Sequence, residues 1–376
     1  MLCFILFLTT TFAFQCMNDV GKPVDSWVIL KKPQGTTYFY YDSSEKEFKT
    51  SPYSLNDSSS GALTHTTQQL WQEGANYVLY NDQVPKAGEE NDTATQFGHT
   101  KGFFAFLSVS NTISVSNTLS VSNTISVSNT LNSKGFWLTH SIPLFPKGPQ
   151  ESGTYVGLGS NAKTYAQHLL CISVSGDTLN DLAGAFLLNR PQIYESKLTP
   201  KANLLTNEKY SNIRNLIAGE FSTADTCLQT PLTSQGGMPF TVYSKTAQWN
   251  NDLYAGCVAP HEKDTLWVET WIRGKASGPV CPYTEYDTLD IKFLDFQEAP
   301  QAQEAQKTHN TDTDKWSETQ DHSKWLITEY KQVVCMGDVN RMTTQYLRGG
   351  GTACFNDPVL HAVLKKAITG LDTCWV

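Results

Sequence analysis

Eight cysteines that follow the first fifteen residues limit the folds open to this chain more than any other feature of its sequence. The chain has nine cysteines in all, and the remaining one, Cys3, lies in the apolar N-terminal run. An even set of cysteines in a secreted chain indicates disulfide bonds, and no pair has the C-x-x-C spacing typical of a zinc cluster. We therefore expect a disulfide-stabilised fold without a metal or other cofactor. The eight residues are Cys16, Cys171, Cys227, Cys257, Cys281, Cys335, Cys354 and Cys374.

The first fifteen residues, MLCFILFLTTTFAFQ, have the short apolar run and the small residues of a secretory signal peptide, although they lack the usual basic residue. The alternative is a buried N-terminal strand. No later stretch is apolar for long enough to cross a bilayer. Asn56 and Asn91 each begin an N-x-S/T site for glycosylation. We predict a signal peptide at residues 1–15 and a secreted or lysosomal glycoprotein without membrane contact.

The charge balance of the chain favours an acidic working environment over a neutral one. The formal net charge is −8 with neutral histidines, and only five of the 28 basic residues are arginine. A strong basic footprint, as expected of a DNA-binding protein at neutral pH, is therefore missing. The eight histidines titrate near pH ~6.5, so they add up to eight positive charges at about pH 5. An acidic compartment would thus permit binding of an anionic polymer.

Strand-like and helix-like segments alternate through the chain, which has 376 residues and is long enough for two compact halves. This alternation predicts an α+β fold with layered sheets flanked by helices. Residues 298–320 are polar and are expected to form a surface connection. The predicted strands are 27–32, 36–42, 75–82, 103–107, 135–140, 265–272 and 288–296, and the predicted helices are 161–171, about 180–190 and 359–368.

A six-residue repeat, SVSNT followed by Ile or Leu, occurs four times in residues 108–131. Its alternating apolar and polar residues are typical of an extended ribbon or a long hairpin. One interpretation is a recognition arm. The interpretation that we favour is a repeat expansion in a surface loop, because the entropy of loop closure grows slowly with loop length.

Two short segments, GHTKG at residues 98–102 and DHSKW at residues 321–325, carry the residue types needed to cut a phosphodiester. Residues i and i+2 of a strand lie on the same face, so each segment would present an imidazole and an ammonium group together. A neutral imidazole can attack phosphorus, and a protonated one can donate a proton to the leaving oxygen. The lysines would stabilise charge on the other phosphate oxygens. A third His-x-Lys, His261 with Lys263, is interpreted as a solvated turn, since Glu262 between them would repel phosphate.

The sequence around both motifs resembles that of the deoxyribonuclease II family. His-x-Lys alone is a weak signal, but the flanking segments occur in the family's order along nearly all of residues 16–376. These segments are GKPVDSWVILKKP (21–33), YNDQVP (80–85), GFWLTHSIPLFP (135–146), HLLCIS (168–173), LTSQGG (232–237), DLYAG (252–256), CMGDVNR (335–341) and RGGGTAC (348–354).

The resemblance implies a phospholipase D-like architecture in which two β-sheet halves, related by a pseudo-two-fold axis, share one site. The expected halves are residues 16–190, which contain the repeat, and residues 191–376. The implied activity is an acid endodeoxyribonuclease that needs no metal, forms a covalent phosphohistidine and leaves 3′-phosphate ends on DNA. The catalytic roles carry over to His99, Lys101, His322 and Lys324.

Further expectations follow from the resemblance alone. His140 and Asn340 would orient the phosphate or a catalytic imidazole, although a core histidine and a turn asparagine are the alternatives. The disulfides would join Cys16 to Cys171, Cys281 to Cys374 and Cys335 to Cys354, which leaves Cys227 and Cys257 for a fourth bond. The family tends towards clamp-shaped dimers, so a homodimer is one expectation that the residues do not require.

Two rival functions remain open from the sequence. One is a secreted, catalytically inactive protein that uses the same scaffold to bind DNA or a host component, which the repeat and the scarcity of arginine would fit. The other is a phosphodiesterase for another substrate such as a phospholipid, although no amphipathic membrane-binding segment is evident. The intact pair of His-x-Lys motifs favours the nuclease.

Overall fold

Two large β-sheets form most of the structure, a computed structural model that describes residues 13–85, 96–107, 133–199, 208–281, 285–297 and 314–374. Short helices lie against these sheets, and four disulfides link the elements. The predicted α+β fold stabilised by disulfides is therefore confirmed.

The first sheet contains eight strands within the described residues. A separate ribbon, β1 (Cys16–Met17) paired with β2 (Pro23–Val24), precedes it. The sheet strands are β3 (Ser26–Lys31), β4 (Tyr38–Asp42), β5 (Lys49–Thr50), β6 (Ala75–Asn81), β7 (Lys101–Leu107), β8 (Lys134–His140), β9 (Gln167–Ser175) and β10 (Ile193–Lys197). Their spatial order is β10-β6-β7-β8-β9-β3-β4-β5. The central strands are buried on both faces, which explains their nearly continuous apolar sequences.

The second sheet contains nine strands within the described residues. They are β11 (Cys227–Thr233), β12 (Pro239–Lys245), β13 (Leu266–Thr270), β14 (Thr288–Asp295), β15 (Lys315–Ser317), β16 (Lys324–Thr328), β17 (Val333–Gly337), β18 (Gly350–Asn356) and β19 (Ile368–Leu371). Their spatial order is β11-β12-β18-β17-β16-β13-β14-β15, and β19 also pairs with β14.

The two sheets repeat one pattern of strand pairing. The run β6-β7-β8-β9-β3-β4 in the first sheet corresponds to β13-β16-β17-β18-β12-β11 in the second, and every neighbouring pair in both runs is antiparallel. The hairpins β3–β4 and β11–β12 occupy equivalent places at the end of each run. In the first sheet the earlier strand of the hairpin, β3, pairs with β9, whereas in the second sheet the later strand, β12, pairs with β18. Consequently, β7 and β16 are equivalent strands, and each begins at the lysine of a His-x-Lys motif.

Two of the described helices begin after a residue whose side chain caps them, Ser175 before Gly176 and Asp357 before Pro358. The last helix begins at Pro358, and the Asp357 side chain accepts hydrogen bonds from the first free backbone N–H groups, as its sequence predicts. The described helices are α1 (Ala62–Thr67), α2 (Asn161–Thr164), α3 (Gly176–Asn189), α4 (Ser211–Ala218), α5 (Ala259–Glu262) and α6 (Pro358–Ala367), with a π-helix at Tyr254–Val258.

The helix predicted for residues 161–171 is wrong over most of its length. The helix α2 ends at Thr164, and β9 occupies Gln167–Ser175. This strand pairs with β3 on one side and β8 on the other, and all of its residues except Ser175 are buried. A strand buried on both faces is apolar throughout and lacks the alternation that distinguishes it from a buried helix.

One hydrophobic core joins the two halves. The largest buried cluster includes Phe104 and Leu170 of the first sheet, Val242 and Ile327 of the second, and Phe186 of α3. Two smaller clusters cover the outer faces of the sheets. The edge strand β10 lies beyond residue 190, where we expected the first half to end, yet it pairs with β6 of the first sheet.

The four disulfides link residues that are distant in sequence. The bonds are Cys16–Cys171, Cys227–Cys257, Cys281–Cys374 and Cys335–Cys354, which are the four pairs expected above. Each bond of this kind stabilises a fold by about 2–4 kcal/mol, chiefly by restricting the unfolded chain.

Some of the predicted features lie outside the described residues. They are the SVSNT repeat, Asn91, most of the leader (1–12) and most of the connection at 298–320 (298–313). Asn56 is described, and its side chain is exposed. Among the described residues, no helix has the length and apolar character needed to span a bilayer.

Candidate active site between the two sheets

His99 and His322 come together in one open cleft, although 223 positions separate them in the sequence. The cleft has a volume of about 310 Å³ and is also lined by Trp271, Asn340 and Arg348. His99 directly precedes Thr100 and β7, and His322 occupies the matching place before β16. The repeated topology of the two sheets therefore brings the two imidazoles to one place.

Each histidine is held in position by the opposite half of the molecule. The backbone N–H of His99 donates to the carbonyl of Gly349 at 2.8 Å, and that of His322 donates to the carbonyl of Ala166 at 2.9 Å. The two acceptors directly precede β18 and β9, which are equivalent strands. The positions of the two imidazoles thus depend on correct docking of the two sheets.

The imidazole rings are oriented by a second pair of equivalent contacts across the halves. His99 Nδ1 lies 2.5 Å from the carbonyl oxygen of Asp338, and His322 Nδ1 lies 2.9 Å from that of Ser141. A carbonyl oxygen can only accept a hydrogen bond, so each Nδ1 carries the proton. The Nε2 atom of each neutral ring therefore keeps its lone pair. This is the tautomer that a nucleophile or a general base requires.

Burial lowers the pKa of both imidazoles. The pKa of His99 is lowered first by burial and then by the charges of Lys101 and Arg348, whereas its hydrogen bond to Asp338 acts in the opposite direction. The pKa of His322 is lowered by burial and then by the charges of Lys324 and Lys101. Both rings are consequently neutral at pH 7 in the unliganded cleft.

The two lysines lie beneath the histidines and differ in their partners. Lys324 Nζ lies 3.4 Å from His322 Nδ1 and donates to the His322 carbonyl at 2.6 Å. Lys101 Nζ instead forms an ion pair with Asp82, whose other oxygen lies 3.6 Å from His99 Nε2. Burial, followed by the charge of Lys101, lowers the pKa of Lys324. The side-by-side imidazole and ammonium expected from the sequence therefore occur in the second pair, whereas a carboxylate bridges the first.

Asp82 and Arg348 are site residues that sequence reasoning did not identify. Arg348 Nη2 lies 3.2 Å from Asp82 Oδ2 and 3.1 Å from the carbonyl oxygen of Gly98, so it connects the loop before His99 to the second half. Both residues belong to segments, YNDQVP and RGGGTAC, that carried the family resemblance. The charged residue in each of these two segments could have identified them as site residues from the sequence.

Gln167 and His168 were also missed, because they fall in the segment predicted as a helix. Gln167 Oε1 lies 3.1 Å from His322 Nδ1 and accepts from the Ser141 hydroxyl at 2.5 Å. The buried His168 accepts the backbone N–H of Lys324 at 3.0 Å through Nδ1. The two residues therefore support the second His-x-Lys from β9.

Asn340 and His140 occupy different environments. Asn340 lines the cleft, and its buried Oδ1 has no hydrogen-bond partner among the described residues. His140 is buried beneath the cleft, where its Nδ1 accepts the backbone N–H of Ile142 at 3.1 Å and its ring contacts Phe145. Asn340 is therefore placed to meet a ligand, whereas His140 packs within the core and precedes Ser141, which holds His322.

The third His-x-Lys lies away from the cleft. His261 belongs to α5, and its Nδ1 lies 2.7 Å from the carbonyl oxygen of Cys257 within the same helical segment. Lys263 ends this helix in the left-handed conformation. The segment forms a helix terminus, which agrees with its interpretation as a turn.

Two imidazoles, two lysines and an arginine surround one cleft, and this set of groups suits an anionic phosphate ester. This combination places the chain in the class of phosphodiester hydrolases. A family model of deoxyribonuclease II matches residues 15–374. The chain belongs to the deoxyribonuclease II family, and it is an enzyme of the deoxyribonuclease class.

Individual relatives extend over nearly the whole chain. A putative deoxyribonuclease-2 of Burkholderia thailandensis is 32% identical over 92% of this chain and 90% of its own length. Deoxyribonuclease-2-alpha of Rattus norvegicus is 28% identical over 96% of this chain and 95% of its own length. Plancitoxin-1 of Acanthaster planci is also 28% identical, over 97% of this chain and 94% of its own length.

Proposed function

We propose that the chain is an acid endonuclease that hydrolyses DNA phosphodiesters without a metal ion, through a covalent phosphohistidine, and leaves 3′-phosphate ends. The observation that carries the proposal is the matched orientation of His99 and His322, since Nδ1 of each ring contacts a carbonyl of the opposite half and both rings line one cleft. The site thus offers two equivalent imidazoles to a single phosphate.

In the proposed reaction one imidazole is the nucleophile and the other is the general acid. The neutral imidazole attacks phosphorus through Nε2, the bond from phosphorus to the 5′ oxygen breaks, and the protonated imidazole gives its Nε2 proton to that oxygen. Water then attacks phosphorus, the bond from phosphorus to Nε2 of the first imidazole breaks, and a proton of the water passes to the second imidazole. The phosphate stays on the 3′ oxygen, and both rings regain their starting states.

The other cleft residues would stabilise charge on the phosphate during both steps. Lys101 and Lys324 supply positive charge from beneath the cleft, and the Asn340 amide supplies a hydrogen-bond donor at its wall. Asp82 and Arg348 would keep His99 and Lys101 in place.

The four disulfides support function in an oxidising compartment, either secreted or lysosomal. Asn56, with its exposed side chain, remains the described candidate for glycosylation. A DNA-binding protein without activity is not favoured, since both His-x-Lys pairs reach the same cleft. The proposed homodimer remains a prediction, which analytical ultracentrifugation of the full chain would test.

The covalent intermediate can be trapped directly. We expect that DNA labelled at its phosphates will transfer label to the protein when the reaction is quenched in alkaline denaturant, because phosphohistidine survives alkali. Peptide mapping should place the label on His99 or His322, and the DNA products should carry 3′-phosphate ends. Products with 5′-phosphate ends and an unlabelled protein would contradict the proposed chemistry.

A further inference from the structure

The wall of the cleft beside His322 contains an arginine stacked on two aromatic rings. The Trp271 ring centroid lies 4.1 Å from that of His322 and 4.3 Å from that of Tyr165. The exposed guanidinium of Arg273 lies over both aromatic rings, with its Cζ atom 5.0 Å from the Trp271 centroid and 5.7 Å from the Tyr165 centroid. Arg273 Nη2 also donates to the carbonyl of Thr319 at 2.8 Å. The side chain is therefore fixed at the cleft although it is exposed.

We propose that Arg273, supported by Trp271 and Tyr165, binds the DNA phosphate that neighbours the one being cut. This inference rests on the proposed function and adds a substrate subsite to it. A guanidinium carries five N–H donors in a planar fork that matches a phosphate, and the contact with Thr319 uses one of them. Stacking on aromatic rings reduces the conformational entropy that an exposed arginine loses when it binds.

The position of Arg273 suits a neighbouring phosphate better than the scissile one. One indole ring lies between the guanidinium and the His322 imidazole, at 5.0 Å from the first and 4.1 Å from the second. Both groups therefore contact the same indole ring. A phosphate bound at Arg273 therefore leaves room for the next one at His322 Nε2.

The equivalent segment in the other half has no arginine, because Val84 corresponds to Arg273. Asn81 pairs with Lys101 in the first sheet, and Thr270 pairs with Lys324 in the second, so the residues that follow, Asp82 and Trp271, correspond. Asp82 presents a carboxylate beside His99, and this carboxylate forms ion pairs with Lys101 and Arg348. Within this pair of equivalent segments, the exposed arginine lies on the His322 side.

The other described arginines differ from Arg273 in their surroundings, and one of them provides a control variant. Arg341 is fully buried between Asp252 and Asp290, and Arg348 pairs with Asp82. Arg190 resembles Arg273, since it is exposed and its Cζ lies 5.7 Å from an aromatic centroid, that of Phe221, but it does not line the cleft. Replacement of Arg190 by glutamine removes the same charge from a comparable setting.

The binding test uses the full chain with His99→Ala, which prevents cleavage, and a short fluorescent DNA duplex in chelator at about pH 5 over a series of salt concentrations. We expect Arg273→Gln to raise Kd about tenfold, because a charge-assisted phosphate contact is lost. The slope of log affinity against log salt should become shallower by about one. Arg190→Gln should leave both values within about twofold. Unchanged binding by Arg273→Gln, or equal losses from the two variants, would overturn the proposal.

A kinetic test with otherwise unmodified protein distinguishes substrate binding from a structural effect. Arg273→Gln should raise KM for duplex DNA and leave kcat unchanged. Hydrolysis of a nitrophenyl ester of thymidine 3′-phosphate, which has a single phosphodiester, should not change. Equal losses of kcat on both substrates would show that Arg273 acts through Trp271 on His322, which would refute the subsite. If unmodified protein cleaves neither substrate, the proposed function fails, while the binding test still decides the subsite.

Discussion

His99→Ala and His322→Ala are each expected to reduce kcat for DNA cleavage by a factor of about 10⁴ or more, with little change in folding. Loss of one member of a nucleophile–acid pair removes most of the advantage of the pair, so the double variant should be hardly slower than either single variant. Both side chains line an open cleft, and their removal leaves no large buried cavity. Single-turnover cleavage of a supercoiled plasmid at about pH 5 measures the effect.

His261→Ala is the matched control for these two variants. It removes an imidazole from the third His-x-Lys, whose Nδ1 contacts the Cys257 carbonyl away from the cleft. We expect its cleavage rate to stay within about twofold of the unmodified protein. A silent His261 variant, or a His99 or His322 variant with near-normal activity, would be inconsistent with the two-histidine site.

The rate of DNA cleavage should follow a bell-shaped curve in pH with its maximum in the acidic range. One imidazole must be protonated, so the rate falls as pH rises through the pKa of that ring; the other must be neutral, so the rate also falls as pH decreases through its pKa. Burial and the neighbouring lysine charges lower the pKa of both rings below the usual 6.5. The alkaline limb should therefore begin below pH ~6.5 and fall roughly tenfold per pH unit.

Asp338 strengthens the acidic preference of the cleft. Burial raises the pKa of this carboxyl to about 7, against the opposing effect of Lys101, so the group is largely neutral at about pH 5 and becomes charged above pH 7. Its ionisation would add repulsion between the cleft and DNA as pH rises. Steady-state cleavage in buffers of constant ionic strength between pH 4 and pH 9 tests both effects. A rate that increases steadily above pH 8 would exclude the proposed division of roles between the imidazoles.

The sequence predicted the elements that carry the site better than the contacts that orient it. The run around Phe103 was sufficient to place the strand that follows His99, and Asp357 with Pro358 marked the start of α6, whereas β16 after His322 was not among the predicted strands. Local sequence determines these features, because strand propensity and helix capping depend on neighbouring residues. The convergence of the two histidines followed from family resemblance and not from spacing.

The orientation of the imidazoles could not be predicted, because it depends on backbone carbonyls. Any residue could supply the carbonyls at Asp338 and Ser141, so their side chains give no signal in the sequence. The ion pair between Lys101 and Asp82 was missed for a related reason: their pairing depends on the register between β6 and β7. Strand register is a tertiary property that a single sequence specifies only weakly.

The error at residues 161–171 has consequences for the site. The helical prediction for this segment concealed β9, and with it Gln167 and His168, which support His322 and Lys324. The expected role of His140 was inferred only from its position in residues 135–146, a segment that resembles the family. The structure places His140 beneath the cleft, next to Ser141.

Cleavage of a supercoiled plasmid at about pH 5 in a large excess of chelator tests the central claim most directly. The account predicts nicked and then linear DNA at the same rate with and without chelator, since His99, His322 and the two lysines supply all the chemistry. A folded protein that cuts only after addition of a divalent metal ion, or that does not cut at any pH, would contradict it.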